Sequence, residues 1–355
     1  MSLKILLQKL VAIPSFSGKE IELATSIKKY FVDKGASIIE HEGNVMAHIK
    51  KGSQNAIIFN AHMDTVRPGD ASLWKTDPLV LSESDGKYFG LGIGDEKVSI
   101  ALLMDIFDDL AKTNIDVFLA FVVKEEIDGS GSKTFVDYFK KNYTYDKVFC
   151  VLCEPTDGEY VELGNKGNIF FEITAQGKSA HSSRPEEGEN AVIKLVNTID
   201  SLQGEFKKNN KFCDKLGPAT FACPTVIQGG SSVNVIPDIC VAKGDIRTNS
   251  LCHDDMVTLL TSDPSIQVIS ETKPYLLDDS HPFVMVFEKI GITQKKYTTG
   301  SNDAIFFGMA GIPTLVFGAG TKASIHKPNE FVEIKNIDKT KNIYLRLVET
   351  LSVDV

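Results

Sequence analysis

The chain has 355 residues, of which 43% are apolar and 24% charged, and a formal net charge of −9. A chain this apolar can bury enough surface to fold, and its length suits two domains better than one. The acidic balance argues against a protein that tracks nucleic-acid phosphates, but leaves a metal site open because carboxylates are hard ligands.

The N-terminus reads Met-Ser-Leu-Lys and then an amphipathic helix. It has no signal-peptide core, and no apolar stretch approaches the length of a membrane span, so a cytoplasmic location is expected. Glu20 to Val32 has helical spacing after the start signal Ser15-Phe16-Ser17-Gly18. Asn55 to Ala61 is a short apolar run that reads as a buried strand. A helix from Lys97 to Leu110, a strand from Ile115 to Val123, a helix from Gly131 to Phe139 and a strand from Lys147 to Leu152 follow. This alternation implies an α/β domain whose mostly parallel sheet is flanked by helices.

Near Gly164-Asn165-Lys166-Gly167 the character changes. A strand (Asn168 to Ala175), a helix (Asn190 to Leu202), two strands (Thr220 to Ile227, Ile236 to Ile246), a helix (Asp254 to Leu260) and a strand (Ser265 to Ile269) follow. The order β-α-β-β-α-β is that of a ferredoxin-like α+β unit. The alternation then resumes with Val284 to Ile290, Asp303 to Met309, Thr314 to Phe317 and a helix from Ile337 to Leu351. The expected organisation is a catalytic domain of residues 1–165 and 272–355, interrupted by an inserted domain at 166–271.

Six cysteines (Cys150, Cys153, Cys213, Cys223, Cys240 and Cys252) have no framework spacing and read as free thiols. Cys150 and Cys153 spell C-x-x-C inside an apolar strand, whereas a redox pair usually opens a helix.

The polar residues that follow the apolar strands carry the chemistry. His62 and Asp64 close one strand and are two apart, so in a continuing strand they point the same way. Gly90-Leu91-Gly92-Ile93-Gly94-Asp95 opens a helix, but Asp95 stands where a dinucleotide fingerprint needs its third glycine, which argues against nucleotide binding. Glu125 and Glu126 are adjacent acids that repel each other unless a cation or proton separates them. Glu154 follows another strand, and His326 follows the strand Thr314 to Phe317 and the loop Gly318-Ala319-Gly320. Taken singly, each has a plainer reading as a loop residue, a helix N-cap or a solvated charge pair. Taken together they sit on one edge of one sheet, where α/β proteins place ligands. Two histidines and three carboxylates suit two zinc ions, each with one histidine and one terminal carboxylate, and with Asp95 bridging.

These residues, with Trp74, Asp77-Pro78, Asp85 to Gly90, Gly94 to Lys97, Glu154-Pro155-Thr156, Gly177 to Ser182, Asn234 to Asp238, Asp245-Ile246-Arg247, Gly300 to Asp303 and His326 to Glu330, form an ordered set over nearly the whole chain. The set resembles the zinc-dependent peptidase and deacylase family of acetylornithine deacetylase, succinyl-diaminopimelate desuccinylase, aminoacylase and glutamate carboxypeptidase. The resemblance implies that His62 and Glu154 hold one zinc, Glu126 and His326 the other, and Asp95 both; cobalt may substitute. It implies that Asp64 orients His62, that Glu125 is the general base, and that His181 reaches a neighbouring active site and steadies the oxyanion. Asn234, Arg247, Ser301 and Gly318 are then substrate-binding, with Arg247 suited to a carboxylate. The inserted domain is implied to be a lid that forms a homodimer.

The expected reaction is hydrolysis of the amide bond of an N-acyl amino acid of the acetylornithine, acetyl-lysine or succinyl-diaminopimelate type, in amino-acid biosynthesis. The expected partner is a small acyl amino acid or short peptide, with no nucleic acid and no membrane. A dipeptidase or carboxypeptidase of the same family and a non-catalytic binding protein on this scaffold are the alternatives. The chain departs from the family at Leu91, where a basic or small residue is usual, and at Glu96-Lys97-Val98, where Met-Lys-Gly is usual.

Overall fold

The computed structural model describes residues 2–354. They form two compact units. One comprises the chain up to Leu163, Leu277–Lys296 and the chain from Asn302 on; the other comprises Gly164–Leu276 and Tyr297–Ser301.

The first unit is built on a mixed sheet whose four central strands are parallel. In spatial order these are Asp116–Val122, Asn55–His62, Lys147–Leu152 and Thr314–Val316. Asp116–Val122 is buried at every position, as a strand covered on both faces must be. One face packs Ala56, Ile58, Phe118, Ala120 and Val122 against Phe135, Phe139 and Phe307. Alternate residues of the same strands face the other layer, where Phe121 stacks on Phe31 and Phe59 meets Tyr344. An antiparallel hairpin, Ser37–His41 and Asn44–Ile49, extends the sheet beside Asp116–Val122. On the other side Tyr160–Asn165 runs antiparallel to Thr314–Val316.

The register places the ends of the parallel strands side by side: His62 pairs with Val122, Asn60 with Leu152, and Leu152 with Val316. Residues just beyond these ends therefore emerge on one edge. A small antiparallel sheet brings in two more loops. Its hairpin Ser82–Ser84 and Lys87–Phe89 pairs with Phe331–Glu333, which sets the 326–330 segment against the 90–96 loop.

The helix expected from Lys97 to Leu110 is two helices, Val98–Asp105 and Phe107–Leu110, which meet at Ile106. Both cysteines of the C-x-x-C sequence are buried free thiols, in and just after a strand. No helix among the described residues is long and apolar enough to cross a membrane.

The second unit has the element order β-α-β-β-α-β. Its antiparallel sheet runs Thr220–Gly229, Ile239–Thr248, Gly167–Gln176, Ile266–Thr272, an arrangement that places the first and third strands at the centre. Ile169, Phe171 and Ile173 project from one face against Leu195 and Leu202 of the helix Ala191–Asn209 and Met256 and Leu260 of the helix His253–Thr261.

Candidate metal centre

Five side chains expected to hold metal meet at the edge of the first unit's sheet. The two oxygens of Asp95 face two different histidines: Oδ1 lies 3.0 Å from His62 Nε2, and Oδ2 lies 3.2 Å from His326 Nε2. His326 Nε2 is also 2.8 Å from Glu126 Oε1, and His62 Nε2 is 3.8 Å from Glu154 Oε1. Possible ligand atoms of His62, Asp95 and Glu126 lie within 4.8 Å of one another, and so do those of His62, Glu125 and Glu154. Two ligands about 2.1 Å from one tetrahedral cation are a little over 3 Å apart, so these spacings fit a pair of cations sharing Asp95. Two imidazoles and several carboxylates are donors that suit zinc or a similar divalent ion.

The electrostatics tell the same story. Burial pushes Glu154 well above the usual carboxylate range, and Asp95 and Glu125 push it further. Burial likewise raises Glu125, with Asp303, Glu126 and Asp95 adding to it. Asp95 stays below the usual range despite its burial, because His326 and His62 donate to it. Asp95 and Glu126 together lift His326 to about 10. Protons on the two imidazoles and on crowded acids thus balance the cluster. Divalent cations would displace those protons, since metal ligation requires deprotonated donors.

Asp64 has a wider part than orienting His62. The His62 Nδ1 atom is 2.8 Å from the backbone oxygen of Asp64 and 3.6 Å from its carboxylate. The carboxylate, fully buried, accepts the backbone N–H groups of Glu125 (3.0 Å) and Glu126 (3.1 Å) and the hydroxyl of Ser17 (2.8 Å). It therefore fixes the backbone that carries both glutamates.

Two further acids hold the site and had no role assigned from sequence. Glu330 accepts the N–H groups of Gly94 (2.7 Å) and Asp95 (3.1 Å) through Oε1 and of Gly92 (2.9 Å) through Oε2. It thus grips the loop that presents Asp95; its only signal in sequence is that it sits four residues after His326. Glu96, where the chain departs from the family it resembles, is buried and accepts the His62 backbone N–H at 2.6 Å. The amine of the buried Lys97 donates to the Ile13 carbonyl.

Gly318 is expected from the sequence to bind substrate. Its N–H donates to the Thr156 hydroxyl and its carbonyl accepts from Thr156 and Gly158, so its backbone is engaged within the protein. A Cβ there would lie 2.1 Å from the Cys153 carbonyl oxygen and 2.6 Å from that of Glu154. Glycine lets this loop press against the segment that carries Glu154, and Gly320 does the same against the Gly94 carbonyl.

His181, Asn234, Arg247 and Ser301 belong to the second unit. His181 is exposed, with Nδ1 turned to the Ser183 hydroxyl (2.8 Å). Asn234 accepts from the Ser232 hydroxyl, and the Ser301 hydroxyl lies 3.5 Å from that of Thr272. Arg247 Nε donates to Asp245 Oδ2 at 2.9 Å, which orients the guanidinium along Phe170.

Comparison with known proteins gives a consistent picture. The profile of Peptidase family M20/M25/M40 matches residues 58–350. A protein named acetylornithine deacetylase from Shigella sonnei (strain Ss046) is 27% identical, covering 96% of this chain and 95% of its own length. Among solved structures, an M20 family metallo-carboxypeptidase from Sulfolobus solfataricus superposes with a TM-score of 0.80 at 18% identity, covering 99% of this chain and 100% of its own. A dinuclear metal binding peptidase of the M20 family from Bacillus subtilis gives a TM-score of 0.67 at 18% identity, covering 99% and 98%.

Proposed function

The chain belongs to Peptidase family M20/M25/M40 and is a hydrolase acting on amide bonds, and from that premise we propose that it removes the acyl group of an N-acyl amino acid with the help of two zinc ions, for which cobalt can substitute. The observation that carries this reading is the placement of Asp95 between two histidines, one at each oxygen, with Glu125 beside His62 and Glu154. His62 and Glu154 would hold one ion, His326 and Glu126 the other, and Asp95 both. Such a pair supplies Lewis acidity and a water whose pKa falls to about 7.

The chain's own residues do the rest. Glu125 accepts the proton of the attacking water on its carboxylate and returns it to the leaving amine. Burial beside Asp303, Glu126 and Asp95 raises its affinity for a proton, which suits a general base. Asp64 holds Glu125 and Glu126 in register, and Glu330 holds Asp95. In the second unit His181 would steady the oxyanion, with Asn234, Arg247 and Ser301 gripping the substrate; that unit would act as a lid and as the contact between copies in a homodimer. A cytoplasmic location suits the six free thiols.

The N-acyl amino acid is favoured by the named relative, whose likeness runs over almost the full length of both chains. Metal content measured together with a panel of N-acetyl amino acids, N-succinyl-diaminopimelate and dipeptides tests the reading. The Glu125→Ala variant should retain its metal and lose turnover. Full activity in that variant with metal bound would remove Glu125 as the base, and a panel cleaved only at dipeptides would make the enzyme a peptidase.

A further inference from the structure

In the first unit a cavity of about 260 Å³ adjoins the metal-holding cluster, with His326 and Glu330 among its lining residues. Arg67, Trp74, Leu91, Lys327 and Asp70 are among its walls. Its frame is built. The Trp74 indole donates to the Pro68 carbonyl (2.8 Å), and Asn329 ties the two sides together by accepting from Lys75 N–H and donating to the Leu73 carbonyl.

Arg67 is exposed, and a short chain of contacts links it to the segment that touches Asp64. Its guanidinium lies 5.3 Å from the centre of the Phe16 ring, a cation–π distance. Phe16 bridges to Thr65, whose N–H donates to Ser15, and Ser17 donates to Asp64. Arg67 has no ion-pair partner among the described residues. Lys327 adds a second positive charge and keeps its amine on the Ala323 carbonyl (2.9 Å). Of the two acids in the cavity's walls, Asp70 caps Ser72 N–H (2.9 Å), and Glu330 accepts the N–H groups of Gly92, Gly94 and Asp95. In a chain of net charge −9, an exposed cation without an ion-pair partner among the described residues, at the rim of a cavity that His326 lines, is placed to meet an anion from outside.

We propose that Arg67 determines specificity by binding a second carboxylate of the substrate, carried either on the acyl group or on the amino-acid side chain. The inference rests on the reading of the site as an acyl-amino-acid hydrolase. A guanidinium offers a carboxylate two parallel N–H donors, and an ammonium cannot reproduce that fork.

The test uses the metal-loaded protein and three substrates: N-succinyl-L-alanine, N-acetyl-L-glutamate and N-acetyl-L-alanine. The wild type should favour one of the two dicarboxylates over N-acetyl-L-alanine in kcat/KM. Arg67→Ala should reduce that preference by about 10- to 100-fold, chiefly through KM, with Arg67→Lys in between. Whichever dicarboxylate suffers identifies the end of the substrate that Arg67 meets. A ratio unchanged in Arg67→Ala, or a wild type that prefers N-acetyl-L-alanine to both, overturns the proposal. Calorimetric binding of succinate and acetate provides an independent arm. Succinate should bind more tightly, and the advantage should vanish in Arg67→Ala; equal binding of the two overturns the assignment. If none of the three amides is cleaved, the hydrolase reading falls, while the succinate measurement still decides the role of Arg67.

Discussion

Replacing Asp64 by asparagine separates charge from shape at the hub of the metal centre. The aspartate offers two acceptor oxygens to three donors: Glu125 N–H at Oδ1, and Glu126 N–H and the Ser17 hydroxyl at Oδ2. An asparagine has one oxygen and one NH2 group. Either orientation turns the NH2 group toward a backbone N–H, so at least one glutamate loses its partner. The serine hydroxyl can rotate to compensate; the backbone cannot. A hydrogen bond to a charged acceptor is worth about 1.5–3 kcal/mol, which is about 10- to 150-fold in an equilibrium constant. Partners that orient metal ligands typically contribute 10- to 100-fold to affinity or rate, so the two routes agree. Zinc affinity from chelator competition and kcat from a fixed substrate should therefore each fall in Asp64→Asn by about one to two powers of ten, while the circular dichroism spectrum is retained. A variant that binds zinc within twofold of wild type and turns over at the same rate would refute the argument that Asp64 sets the positions of Glu125 and Glu126.

Glu330→Ala leaves the N–H groups of Gly92, Gly94 and Asp95 without their acceptor, and should weaken metal binding by about 10- to 100-fold in the same competition assay; unchanged affinity would mean that the loop holds its own shape. Away from the site, burial keeps the His48 imidazole below its ordinary value, although Asp116 opposes this. The unfolded chain then takes up a proton at this position as pH falls through about 6.5, while the folded chain resists it, so stability drains on acidification. His48→Gln should show a melting temperature that declines less steeply than the wild type's between about pH 7.5 and 5.5. Parallel curves would show that Asp116 already offsets the burial.

The parallel strands were legible because each is a short run of apolar, often β-branched residues, and His62, Glu125, Glu126 and Glu154 stood out because they close or soon follow those runs. Strands that mix polar groups into buried positions were not. Asn44–Ile49 is buried throughout, yet Asn44 and His48 break any apolar pattern. Asn44 is satisfied by the Gly131 carbonyl and the Val123 N–H, and His48 faces Asp116, partners that only the folded chain brings together. The hairpin before it turns at Glu42-Gly43, both with positive φ, without the Asn-Gly or Asp-Gly pair that signals such turns most strongly. The break at Ile106 lies in a stretch, 98–110, that holds neither proline nor glycine, so no breaker signal reveals it. The roles of Glu330 and Gly318 depend on approaches between segments far apart in sequence. His326 could be read as a ligand from its place after a strand, but the bonds that Glu330 makes four residues later could not.

The pairing of Phe331–Glu333 with Lys87–Phe89 has a consequence for biosynthesis. His62, Asp95, Glu125, Glu126 and Glu154 have all left the ribosome long before His326 and Glu330 are made. Until that late strand docks, the Asp95 loop lacks its clamp and one of the two imidazoles is missing. The cluster is thus drawn from segments far apart in sequence, and it is complete only when the segment carrying His326 and Glu330 has folded against the 90–96 loop.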